Sequence, residues 1–134
     1  MTVKTYSLKI NTNKNFEIID ITSQINNLID IDEGIISIFS RHSTSAIVVN
    51  ENEKGLLNDL EFLLNNLVSD KFSYEHDRID NNAKSHLKSF LLSSSESLPI
   101  KNSKLDLGTW QSVFFIELDG PRRSRTITLT MVGE

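Results

Sequence analysis

The chain has 134 residues, 38% of them hydrophobic and 24% charged, which is one domain's worth and too apolar for disorder. It contains no cysteine, which excludes a disulfide scaffold, a cysteine-ligated zinc or iron–sulfur centre and a thiol nucleophile together. Lysine and arginine total 14 against 18 acidic residues, so the net charge is −4 and the basic footprint of a nucleic-acid-binding protein is missing.

In chain order, Val3–Ile10 places Tyr6, Leu8 and Ile10 on one face of a strand, and Phe16–Ile21 reads as a second. Thr22 or Ser23 can cap a short helix carrying Ile25, Leu28 and Ile29. Gly34–Ser40 and Ser45–Asn50 read as strands separated by Arg41-His42-Ser43-Thr44. Asn52–Val68 is a leucine-rich amphipathic helix, with apolar residues at three- and four-residue spacing. Ser69–Arg78 reads as a loop, and Asp80 as the cap of a helix over Asn81–Leu92 with Ala83, Leu87, Phe90 and Leu91 inward. Leu98-Pro99-Ile100 is a short edge strand. Thr109–Leu118 and Ser124–Val132 form the last two strands, around the turn Asp119-Gly120-Pro121-Arg122. The pattern predicts a single α+β domain over residues 1–134, mainly antiparallel sheet with two main helices and one short helix. No apolar run approaches the roughly 18 to 20 residues that cross a bilayer. The opening ten residues alternate polar and apolar, unlike a signal peptide, so the expectation is a cytoplasmic protein with no membrane partner.

The scarce residues carry the chemistry. His42, His76 and His86 are the only histidines, and imidazole is the commonest transition-metal ligand. Their spacing matches no standard zinc motif, so each also reads as a surface or hydrogen-bonded residue. Three of the five arginines, Arg122, Arg123 and Arg125, crowd one hairpin end. The planar guanidinium suits phosphate, and a solvated hairpin pairing with Asp119 or Glu117 is the competing reading. Glu51 and Asp59 are about 80° apart if both are helical, so both can lean into one cleft. Trp110 after Gly108 reads as core, with Gln111 beside it as a site residue or an exposed strand position.

Arg41-His42-Ser43-Thr44-Ser45-Ala46, Asn50-Glu51, Asp59-Leu60, Tyr74-Glu75-His76, Asn82-Ala83, His86-Leu87-Lys88, Leu107-Gly108-Thr109-Trp110-Gln111 and Asp119-Gly120-Pro121-Arg122 with Arg125 occur in this order. The ordered set resembles the YjbQ family from about Phe16 to Gly133. Arg41 stands where that family usually has proline, Ser43 where it has threonine, and Ser93 and Ser103 where glycine is common. The resemblance implies a YjbQ-like α+β domain, a homotrimer, and a secondary thiamine-phosphate synthase activity. That activity joins a hydroxymethylpyrimidine diphosphate to a thiazole phosphate and releases pyrophosphate.

The first functional expectation is therefore an enzyme acting on a phosphorylated small molecule. His42, His76 and His86 would hold a divalent metal, zinc by their chemistry or magnesium with a diphosphate substrate. Ser43, Thr44, Arg122, Arg123 and Arg125 would bind phosphate, and Trp110 and Gln111 the rest of the substrate. Glu51, Asp59 and Asp119 are the catalytic candidates. The alternative expectation is a non-catalytic metal- or metabolite-binding trimer using the same residues.

Overall fold

The computed structural model describes all 134 residues. Strand β1 (Thr2–Ile10) pairs antiparallel along its whole length with β8 (Arg125–Gly133), Thr2 opposite Gly133 and Ile10 opposite Arg125. On its other side β8 pairs with β3 (Gly34–Ser40), which pairs with β5 (Ser95–Lys101) and, at the edge, β6 (Lys104–Leu105). A second, three-stranded sheet has β7 (Gln111–Glu117) between β2 (Glu17–Asp20) and β4 (Ser45–Glu51). Every pairing is antiparallel, as expected.

Residues alternate across a strand, and that alternation builds the layers. Ile127, Leu129 and Met131 of β8 meet Val113 and Phe115 of β7 and Ile47 of β4 in the main core between the sheets. The opposite face of the small sheet carries Ala46, Phe114 and Ile116, which meet Leu57 and Leu60 of helix α2 (Lys54–Leu67) and Leu92 of helix α4 (Ala83–Leu92). Strand β7 is thus buried on both faces, which accounts for its unbroken run Val113-Phe114-Phe115-Ile116. Helix α1 (Thr22–Leu28) puts Ile25 into the main core.

The helices depart from the sequence reading in three places. A fourth, one-turn helix, α3 (Asp77–Asp80), lies in and beyond the expected loop, and Asp80 belongs to it instead of capping α4. The carboxylate of Asp77 accepts from Ala83 N at 2.9 Å and takes over that role. Glu53 caps α2, accepting from the backbone N–H groups of Gly55 and Leu56. Helix α4 turns Leu87, Phe90 and Leu91 to solvent, with Phe90 85% exposed. Ala83 and Leu92 still face inward, and two hydroxyls fix the docking: Ser85 Oγ donates to Leu118 O and Ser89 Oγ to Ser45 O, both at 2.6 Å.

Candidate functional site

The end of the sandwich where β3 passes into β4 gathers most of the scarce residues. Its anchor is a buried pair. Arg125 shares the inward side of β8 with Ile127 and Leu129, and Glu117 shares the inward side of β7 with Phe115. Arg125 donates from Nε to Glu117 Oε1 at 2.8 Å and from Nη2 to Oε2, and Nη2 also donates to Thr44 Oγ1 at 3.0 Å. Thr12 Oγ1 and the backbone N–H of Asp119 complete the shell around the Glu117 carboxylate, at 2.7 and 3.0 Å. Burial opposes charge on Glu117. The hydrogen bonds from Arg125, Asp119 N and Thr12 outweigh it and hold the carboxyl below its ordinary value.

His42 sits above this pair. Its Nε2 accepts from the backbone N–H of Thr126 at 2.8 Å. An amide N–H can only donate, so Nε2 carries the lone pair and the neutral ring carries its hydrogen on Nδ1. Burial, then the nearby Arg125 charge, push the His42 pKa below its usual 6.5. His42 is therefore a neutral N–H donor at neutral pH. It lines a cleft of about 520 Å³ together with Arg41, His86, Phe39, Phe90 and five serines, Ser43, Ser93 and Ser94 among them.

His86 also lines a second cleft of about 390 Å³ with His76, Tyr74 and Glu75. The two imidazoles meet edge to face with centroids 4.8 Å apart. His76 Nε2 lies 3.0 Å from Asn82 Oδ1, and Asn82 Nδ2 donates to Asp119 Oδ2 at 3.1 Å. Asp119 is held in turn by Arg122, whose Nη2 donates to Oδ2 at 3.0 Å and whose Nε donates to the backbone O at 2.9 Å. Asn82 is the residue that the sequence reading left without a role. The Asn82-Ala83 motif carries its signal, but Asp119, the partner that orients it, lies in a hairpin 37 residues away.

The structure changes several expectations. The three histidines do not form one ligand set: no group of three His, Cys, Asp or Glu side chains is placed to hold an ion. His42 is removed by its bond to Thr126, and only His76 and His86 are neighbours. Arg125 and Thr44 are buried and bonded to each other and to Glu117, so they are structural and not open to an anion. Arg122 is spent on Asp119, and Arg123 is exposed beside Arg122 in a polar groove with Asn11 and Asn13. Ser43 alone of the expected phosphate ligands lines the histidine cleft.

The remaining candidates are at the far end of the small sheet. Glu117 pairs with Ser45 and Gln111 with Glu51, six residue steps away along β4. That is about 20 Å. Glu51 and Asp59 do share one cavity, of about 200 Å³, with an apolar floor of Val48, Leu57, Leu60 and Phe114. Trp110 is 73% exposed in the loop before β7, contrary to the core position expected. Gln111 Oε1 accepts from Gly108 N at 2.8 Å, which ties it into that loop. The candidates therefore divide into two groups at opposite ends of one sheet.

A family model described as "UPF0047 protein YjbQ-like" matches residues 6–134. A UPF0047 protein of Methanothermobacter thermautotrophicus is 49% identical over 137 residues, covering 100% of this chain and 95% of that protein. UPF0047 protein YugU of Bacillus subtilis is 32% identical, covering 95% of this chain and 98% of that one. The crystal structure of a YbjQ-like protein of unknown function from Sulfolobus solfataricus superposes with a TM-score of 0.94 at 39% identity, over 99% of both chains. A hypothetical protein from Aeropyrum pernix gives 0.92 at 30% identity, over 98% of this chain and 99% of that one.

Proposed function

The chain belongs to the YjbQ-like UPF0047 family, and within it we propose that the His42–His86 cleft binds a small molecule carrying a phosphate or diphosphate group. The observation that carries this reading is His42 itself, whose Nε2 is closed by Thr126 and whose Nδ1–H is left as a donor. Arg41 and the hydroxyls of Ser43, Ser93 and Ser94 line the same space, and Phe39 and Phe90 add apolar surface for a flat ring. Positive charge, N–H and O–H donors are what an oxyanion needs. The paired His76 and His86 are the titratable groups closest in kind to acid–base work.

The thiamine-phosphate synthase reaction makes a C–N bond and breaks a C–O bond, and its main demand is stabilisation of the departing pyrophosphate. Arg41 and His42 suit that demand. The expected three-histidine metal does not fit one chain, so a divalent cation enters this reading as magnesium carried by the diphosphate, and no step is assigned to it. A binding protein without turnover is the second reading. It is favoured by one observation: Glu51 and Asp59 line a cavity that shares no residue with the histidine cleft.

We also propose that the chain acts as a homotrimer. Phe62, Leu67, Phe72 and Leu91 are each at least 60% exposed, and burial between copies would remove this apolar surface from water. Light scattering tests it, and a monodisperse monomer overturns it.

Calorimetric titration with inorganic pyrophosphate, with and without magnesium, tests the cleft. A charge-assisted hydrogen bond contributes about 1.5–3 kcal/mol, so Arg41→Ala and His42→Ala should each weaken binding about ten- to hundredfold. Unchanged affinity in both variants overturns the assignment. Release of pyrophosphate from a pyrimidine diphosphate donor separates turnover from binding alone.

A further inference from the structure

We propose that Asn82 is a positioning residue that locks His76 in its Nε2–H tautomer, so that Nδ1 is the only ring atom of His76 left to act as a base or a ligand. The chain of contacts starts at the hairpin. Arg122 donates to Asp119 twice, once to the carboxylate and once to the backbone carbonyl, which pins that side chain beside α4. A carboxylate paired with arginine only accepts. Asn82 lies 3.1 Å from it and so must turn its NH2 group toward Asp119. The amide is planar, and its other end is then fixed as the carbonyl. That oxygen lies 3.0 Å from His76 Nε2. An amide oxygen only accepts, so Nε2 must carry the hydrogen.

Three ordinary contacts thus pass a direction from Arg122 through Asp119 and Asn82 into an imidazole. Oriented imidazoles that work as bases or ligands are fixed in this way by a partner on the second nitrogen. The outcome differs from that at His42, where a backbone donor leaves the hydrogen on Nδ1. The two rings lining neighbouring clefts therefore carry opposite tautomers. The use made of Nδ1 rests on the proposed role of the histidine cleft; the tautomer itself does not.

The test is nitrogen-15 NMR of the imidazole rings in the full chain without ligand, at a pH where His76 is neutral. The expected result for the native protein is one tautomer for His76, protonated on Nε2. Asn82→Ala removes the lock and should bring up a second, Nδ1–H population. Asp119→Ala removes the acceptor that turns the NH2 group of Asn82, lets that amide face either way, and should do the same. Asn82 makes no capping bond to α4, so its replacement leaves the helix a fair control, checked by circular dichroism. A native His76 protonated on Nδ1, or a tautomer ratio unmoved by both Asn82→Ala and Asp119→Ala, overturns the proposal. Pyrophosphate titration of the same native sample distinguishes the two readings, since failure to bind overturns the cleft and leaves the tautomer result standing.

Discussion

Arg125 and Glu117 join the two sheets through a buried, two-pronged ion pair, one partner on β8 and the other on β7. The pair sits where the sandwich core ends and the polar site begins. Its first consequence is that Arg125 supports the fold.

Arg125→Met should therefore cost stability. It leaves the Glu117 charge buried and short of its main donor, a loss of about 3–5 kcal/mol in such pairs. The double change Arg125→Met with Glu117→Leu should recover most of that loss, because no charge is left uncompensated. Urea unfolding of the three proteins measures both effects. Equal stability of native protein and Arg125→Met would contradict the structural role.

Glu117 also predicts an acid limb of stability. Its folded pKa is depressed below the ordinary 4.5, with hydrogen bonds from Arg125, Asp119 N and Thr12 overcoming burial. The unfolded chain thus takes up the proton first as pH falls. The stabilisation is complete above the unfolded value and is lost as pH drops through the lower folded value. Urea midpoints should fall below about pH 4.5, and the fall should be shallower in Glu117→Gln.

His42 acts in a higher window with the same sign. Its folded pKa is lowered by burial and by Arg125, so the unfolded state binds protons more readily below 6.5. Stability is full above that value and declines as pH falls beneath it. His42→Gln can still accept from Thr126 and does not titrate, so its profile should be flat through this range. An NMR midpoint for His42 above 6.5 would contradict the assignment.

Ser93 and Ser103 both adopt positive φ, +77° and +63°. Such a backbone costs a residue with a Cβ about 1–2 kcal/mol. Glycine removes that cost but raises the entropy of the unfolded chain. Ser93 has no side-chain hydrogen bond, whereas Ser103 Oγ donates to Asp32 at 2.6 Å. Ser93→Gly should accordingly stabilise the protein by about 0.5–1 kcal/mol, and Ser103→Gly should gain less. Thermal melts of the pair decide it.

Gly34 and Gly133 face each other across β3 and β8. A Cβ on Gly34 would lie 2.1 Å from Val132 O, and one on Gly133 would lie 2.0 Å from Glu33 O. Either glycine to alanine should cost about 1–3 kcal/mol, since backbone atoms cannot move aside as a flexible side chain can. A loss below about 0.5 kcal/mol in both would mean the strands separate more easily than this packing implies.

The order of elements was readable because periodicity is local. Strands β1, β3, β4, β7 and β8 and helices α1 and α2 all fall where the alternation of residues puts them. The site was only half readable, for a physical reason. The sequence places Arg122, Arg123 and Arg125 together at the hairpin end, where they read as a phosphate site or as partners of Asp119 or Glu117. Arg125 has the parity of Ile127, Leu129 and Met131, and that parity already marks it as inward. Glu117 carries the same mark through Val113 and Phe115. His42 and Asn82 have no such local signal. Their partners, Thr126 and Asp119, come from strand pairing and hairpin placement far along the chain. Helix α4 misled for another reason: its apolar residues form a stripe, but two serine hydroxyls set which side meets the sheet.

The imidazole of His42 also extends a strand. Past Ser40 the β3 ladder continues along β8 through Arg41 N, which donates to Thr126 O at 3.2 Å, and then through the His42 ring, which receives Thr126 N–H. A side chain thus serves as the last rung of a backbone ladder, and the same ring faces the cleft. Whatever pulls on His42 from the cleft side is registered by the Thr126 amide. Its hydrogen-exchange rate becomes a native gauge of occupancy, readable without attaching any probe to the protein.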